Sequence, residues 1–552
     1  MESNNKMEKE SSLENSRNSL INEFDDSTLS NKVHTFLGYS GTRLNFIIST
    51  FAGVGFFLFG YDQSLIGSLL TLPNFEETFP SISGPDDGVL QGTVVSIYEI
   101  GCFAGAIATI YCGNKFGRIK CMLIGCIIII IGAALQASAF SVGHFIVARI
   151  VTGVGTGFMT STVPVWQSEL SRATTRGKLI MLMGSLITAG VATAYWVDFG
   201  FYFVSENDPK GISWRLPIIL QVIFPMMLLS VIFKVPESPR WLMSKKRVRE
   251  ARIVFSAIYN LPENDSEVTS QLAEIQSALE LEEAESAGFN IRELVKQGPT
   301  RNFQRLSLAC WSQIFQQISG INLITYYAGT IFEKYIHMSP FNARILAACN
   351  GTEYFLASLL GIVFIERVGR RKLLFFGAIG QALTMMALTI ATWQADKQRV
   401  ENGGGTGAGI AAAVFLFVFN SVFGVSYLGG TWLLPTEVSS LQLRAATAAL
   451  STSCNWLFNF MVVMITPVAF QNIGYYTYTI FACINILIAP MIYIFYPETS
   501  GRTLEELDII FSKTPIWKPW EVVAIEKETP KRDFTKDVEK PFTEHIDHVE
   551  SD

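Results

Sequence analysis

Four acids, Asp62, Glu99, Asp198 and Glu353, and one base, Arg149, stand inside otherwise apolar stretches of this 552-residue chain. Ionisable groups in such surroundings are expensive in lipid, so they mark ion or proton pathways or pair with one another. Asp62 lies about eight residues before the end of its stretch and Arg149 about seven after the start of its own. At about 1.5 Å per residue the two reach similar depth and can pair. A rearrangement that takes the arginine away would let the acid accept a proton. The bland alternative is a permanent ion pair tying two helices. Glu99, Asp198 and Glu353 are further acids able to share or replace the role, with Asp198 near enough to its end to be hydrated.

A second set is neutral. QQISGIN places Gln316, Gln317 and Asn322 in one apolar stretch, with Tyr326 and Tyr327 beyond and Gly320 able to loosen the helix. Amides both donate and accept hydrogen bonds and aromatic rings cover C–H faces, which suits a polyhydroxylated solute. Glue between helices is the alternative use of the same amides. A third set sits at the ends of stretches: Glu169 and Arg176, and Glu437 and Arg444, are acid and base seven residues apart, and Arg118 and Arg370 follow glycines. Charges so placed can bridge helices and must separate when the helices move. Nothing suggests a metal or a cofactor: the eight cysteines fall in or beside apolar stretches without ligand spacing. GVGTG at Gly153–Gly157 lies inside a span, where close helix packing explains it better than dinucleotide binding.

The elements that position these residues follow from composition. The chain is 49% hydrophobic and 16% charged, against about 25% charged in soluble domains. A span needs about 20 apolar residues, and roughly twelve such stretches occur, near 44–70, 89–112, 119–140, 142–166, 177–203, 214–234, 303–333, 341–365, 371–393, 408–434, 445–470 and 474–496. This predicts an all-α membrane protein. Lys and Arg gather in the connections after even-numbered spans, which places those connections and both termini in the cytoplasm. A net charge of −6 gives no reason to expect nucleic acid.

Three landmarks recur. GNKFGRIK after the second span matches ERVGRRK after the eighth, Glu169/Arg176 matches Glu437/Arg444, and PESPR after the sixth matches PETSGR after the twelfth. A six-span block therefore occurs twice in the same orientation, as in carriers whose substrate site lies between the halves. The expected division is a tail at 1–40, halves at 41–234 and 303–496, a linker at 235–302 and a tail at 497–552, both tails polar surface or disordered segments. In the linker, Val268, Leu272, Ile275 and Leu279 share one helical face, as in a helix lying on the bundle.

On GRIK, ARIVTGVGTG, PVWQSELSRATTRG, PESPRWL, QQISGINLITYY, ERVGRR and YPETSGRTLEELD, the chain resembles the sugar porter family of the major facilitator superfamily from about 44 to 510. GYDQSLIGSLLTLPNF, AYWVDFGF and ACNGTEYFLASLLGI look closer to the fungal branch that includes glycerol/proton symporters. The resemblance implies two six-helix halves, no enzymatic activity, and solute contacts at Gln316, Gln317, Asn322, Trp432, Asn455, Trp456 and Asn459. It implies proton coupling at Asp62 with Arg149, and an inner gate latched by Arg118, Glu169, Arg176, Glu366, Arg370, Glu437 and Arg444. The chain departs from the family at Asn114 and Arg172, where one charge of the first latch is missing, and at Gly184, Tyr354 and Tyr427–Gly429, where some hexose contacts are lost. The expected function is proton-coupled uptake of a sugar or polyol across the plasma membrane. A facilitative carrier and a non-transporting nutrient sensor are the alternatives.

Overall fold

The computed structural model describes residues 31–82, 88–171, 176–204, 208, 211–285, 292–298, 301–336, 338–402, 406–439, 443–502 and 504–529. Among these the architecture is helical. The first half comprises α1 (Gly41–Leu69), α2 (Gly88–Phe116), α3 (Arg118–Ala137), α4 (Val142–Leu170), α5 (Arg176–Tyr202) and α6 (Ile212–Lys234). The second comprises α7a (Asn302–Ile318) with α7b (Ile321–Thr330), α8 (Pro340–Val368), α9 (Arg370–Asn402), α10 (Thr406–Val438), α11 (Arg444–Ile473) and α12 (Tyr476–Phe495). Eleven of these are individually long and apolar enough to span a membrane. The seventh span, expected as one stretch, is instead two helices broken at Gly320, whose φ of +99° only glycine adopts without strain. A break in lipid must not strand backbone groups. Here Asn485 of α12 donates to the Ser319 carbonyl at 2.8 Å.

Lipid offers little hydrophobic drive between helices, so close backbone approach decides which ones pair. A methyl group on Gly153 would sit 2.1 Å from the Tyr98 carbonyl, and one on Gly157 would sit 2.2 Å from that of Cys102. GVGTG is thus the seam between α4 and α2, as expected.

Between the halves, the helices Pro239–Ser244, Val248–Tyr259 and Ser266–Glu285 form the linker. Val268 and Leu272 are buried, and Ile275 and Leu279 pack against the same core, so the anticipated face is the packed one. Two segments expected as polar surface are more ordered than their composition suggests. His34 contacts Glu263 and donates its backbone N–H to Ser256 Oγ at 3.3 Å, which docks the chain ahead of α1 on the linker. After α12, the helices Leu504–Lys513 and Val522–Glu528 fold back, burying Leu507, Ile510, Phe511 and Val522, with Arg502 bridged to Glu526 at 2.7 Å. Residues 1–30 and 530–552 of the two tails lie outside the described residues.

Replacing Gly153 by Ala forces α2 and α4 apart and is expected to cost about 1–3 kcal/mol. Thermal unfolding of the purified variant in detergent should show a lowered midpoint, and an unchanged midpoint would refute the seam.

Candidate functional site

The halves meet around a cavity of about 30 Å³, lined by Phe59, Gln63 and Ile187 of the first half and by Gln316, Gln317, Asn322, Trp432, Asn455 and Asn459 of the second. Six of the seven residues that the resemblance implies for solute contact therefore line one cavity, Trp456 being the exception. They also satisfy one another. Asn322 donates to Gln317 and, at 2.7 Å, to Asn459 Oδ1, and Asn459 Nδ2 donates to the Tyr326 hydroxyl at 3.4 Å. Asn455 donates to Gln316 Oε1 at 2.9 Å and to Gln313 Oε1 at 2.6 Å. The amides stitch α7a and α7b to α11, so the glue and solute-contact readings describe the same side chains. The Asn455 Oδ1 atom is buried without a hydrogen bond. Trp432 meets Phe56 edge to face at 5.6 Å. Trp456 lies fully buried against Phe59 and Tyr98 and is not among the lining residues.

The halves also touch directly beside the cavity. Gly429 of α10 packs on Met181 of α5, with no room for a side chain. On the other side a methyl group on Gly67 would lie 1.7 Å from the Tyr326 carbonyl, and the Tyr195 hydroxyl donates to the Thr325 carbonyl at 2.5 Å. Beyond them Arg344 of α8 reaches Thr71 at the end of α1, donating to its Oγ1 at 2.7 Å and its carbonyl at 3.0 Å.

Asp62 and Arg149 are paired, with Oδ1 3.8 Å from Nη1 and both side chains buried. The guanidinium is held by the Val95 carbonyl, 2.6 Å from Nη2, and lies 4.8 Å from the centre of the Tyr98 ring. Gln63, next in sequence to Asp62, faces the cavity, so the ion pair and the cavity adjoin along α1.

At the end of the bundle carrying the basic turns, Arg118 forks onto Glu169, with both bonds at 3.0 Å. Arg370 meets Glu437 at 3.3 Å, and Thr499 donates to the other Glu437 oxygen at 2.6 Å. Each bridge joins neighbouring helices within one half. The side chains of Arg176, Glu366 and Arg444 lie outside the described ones.

Two residues of the repeated PES and PET strings carry a role that sequence reasoning missed. Glu237 accepts the backbone N–H groups of Arg118 and Ile119, both at 3.1 Å, and Glu498 accepts those of Arg370 and Arg371 at 2.9 and 3.2 Å. Each carboxylate caps the exposed amides of a helix that starts directly after a positive-φ glycine, Gly117 or Gly369. Burial holds the Glu237 carboxyl above the usual carboxylate range, against the opposing pull of the amides of Ser238, Ile119 and Arg118 and of the Arg118 charge. Gln313 was also missed, although its spacing of three and four residues from Gln316 and Gln317 puts all three on one face.

Twelve spanning segments in two related halves around a central polar cavity define a multi-pass membrane carrier of the major facilitator type. The chain belongs to the sugar transporter family: the profile described as "Sugar (and other) transporter" matches residues 48–511. It is 41% identical over 496 residues to sugar transporter STL1 of Saccharomyces cerevisiae, covering 88% of this chain and 84% of that protein. The proton:xylose symporter XylE bound to 6-bromo-6-deoxy-D-glucose superposes with a TM-score of 0.72 at 25% identity, over 85% of this chain and all of that one. The inward-open form of XylE from E. coli, also 25% identical, fits less well, with a TM-score of 0.64 over 84% of this chain and 99% of that one. The protein is a transporter and not an enzyme.

Removing a buried acceptor orphans the amides it served, at about 1–3 kcal/mol. Glu237→Ala and Glu498→Ala should each lower the unfolding midpoint, and because the caps lie in separate halves the losses should add. A double variant no worse than either single one would contradict independent caps.

Proposed function

We propose that this transporter carries a sugar or polyol together with a proton by alternating access, at the plasma membrane and with both termini cytoplasmic. The observation that carries the reading is the adjacency of Asp62, facing Arg149, to Gln63 in the wall of the cavity. Solute hydroxyls exchange with the amide–amide bonds of Asn322, Asn459, Asn455 and Gln316, a near-neutral swap in hydrogen-bond energy. Exchange frees α7b and α11 to move relative to one another. Movement that separates Asp62 from Arg149 binds a proton, and its reversal releases it on the other side.

The bridges Arg118–Glu169 and Arg370–Glu437, with Arg176, Glu366 and Arg444 beside them in sequence, act as the inner latch. Their charges bias the equilibrium between the two states without touching solute. One observation supports a small polyol over a hexose: Gly184 and Tyr354 stand where the resembling hexose carriers place contacting amides. The printed description of XylE as a proton:xylose symporter supports coupling.

Gln317→Ala and Asn322→Ala are expected to weaken uptake several-fold at limiting solute while the protein stays in the membrane. Wild-type uptake by both, measured with labelled glycerol and xylose, would remove α7 from the site. Asp62→Asn is expected to abolish uphill accumulation and solute-induced proton uptake while sparing some downhill exchange. Unchanged proton uptake in that variant would sink Asp62 as the coupling site, and no proton uptake in wild type would establish a facilitator instead.

A further inference from the structure

A second acid shares the Arg149 environment. Glu99 of α2 is fully buried, and the Tyr326 hydroxyl is placed to hydrogen-bond its carboxylate. The groups that act on its charge are the Arg149 guanidinium, the Tyr326 hydroxyl and the Asp62 carboxyl. Cys102, three residues after it, also feels its charge, and Tyr98 precedes it in the helix. On the adjoining α11, Asn459 and Trp456 face the same region and do not titrate. Two carboxyl groups thus lie in the field of one guanidinium, with Asp62 at pairing distance. If both ionise, a net negative charge stays at depth without compensation, which lipid penalises heavily.

Glu99 also differs from Asp62 in what lies beyond it. The Tyr326 hydroxyl that faces Glu99 is bonded to Asn459, and Asn459 to Asn322, both of which line the cavity. A phenol can donate or accept. With Glu99 ionised, the Tyr326 O–H turns to the carboxylate and its oxygen accepts from Asn459. With Glu99 protonated, its own O–H donates to the Tyr326 oxygen and frees the phenolic hydrogen for an amide oxygen. The proton on Glu99 thereby sets the hydrogen-bonding sense of a chain that ends on solute-facing amides.

We propose that Glu99 is a second proton-carrying residue of this transporter, sharing one proton and one guanidinium with Asp62 and reporting its protonation to the cavity through Tyr326 and Asn459. The proton enters from water as one carboxylate becomes a carboxylic acid, and it returns to water on the opposite side when that acid ionises. This rests on the proton-coupled reading above.

The test uses the full-length protein in liposomes, with labelled glycerol and xylose flux measured alongside proton uptake from mildly acidic to mildly basic pH. For Glu99→Gln, protons carried per solute are expected to fall several-fold and the pH dependence of exchange to flatten, whatever the residual rate. Glu99→Asp should restore both, which a purely structural role would not do. A Glu99→Gln ratio and pH profile equal to wild type, with Asp62→Asn uncoupled, would overturn the role of Glu99 and leave the coupling reading standing. No proton uptake by wild type would overturn both. If Glu99→Gln fails to reach the membrane, Tyr326→Phe decides: a lowered proton-to-solute ratio supports the link, and an unchanged ratio overturns it.

Discussion

In an apolar layer a polar group must find its partner inside the protein, and this transporter is organised around that requirement. Asp62 and Arg149 face each other across α1 and α4, with the Val95 carbonyl taking a further guanidinium N–H. The amides of α7 and α11 bond to one another, and Asn485 serves the carbonyl exposed at the Gly320 break. These internal partners are also exchangeable ones. A solute hydroxyl can stand in for an amide, and a proton can stand in for a guanidinium, so satisfying the layer and moving cargo draw on the same groups.

The ends of the helices show how one device is used twice with different strength. Glu237 and Glu498 cap α3 and α9 in the same manner. The arginine that opens each helix then bridges the acid at the end of the following helix, but Arg118 grips Glu169 with two bonds while Arg370 makes a longer contact with a Glu437 that Thr499 also engages. Bidentate geometry makes the first bridge the stronger. An exposed pair of this kind would contribute at most about 1 kcal/mol, whereas a partly buried one is costly to break from one side.

Close contacts between the halves at Gly67 with Tyr326 and at Met181 with Gly429 bracket the cavity. Glycine at these positions lets backbone meet side chain or backbone directly, so the halves can pack tightly without a thick apolar plug.

Local chemistry along the chain determined a good deal by itself. Apolar length decided the spans, basic turns and matched motifs decided the repeat, and the small residues of GVGTG decided a helix seam, because each depends only on neighbours in sequence. Buried acids and clustered amides stood out as candidates for the same reason, since lipid makes them costly wherever they fold. Tertiary structure decided the rest. PES and PET read as ordinary turns until Glu237 and Glu498 are seen on the amides of helices more than a hundred residues away in the chain. Composition marked the segment after α12 as polar, yet its few apolar residues share a face and find the core. Glu99 was one of several intramembrane acids in the sequence. Only the packing of α1, α2, α4 and α7b places it beside Arg149 and Tyr326, because proximity between helices is set by which faces meet, and a one-dimensional pattern does not encode that pairing.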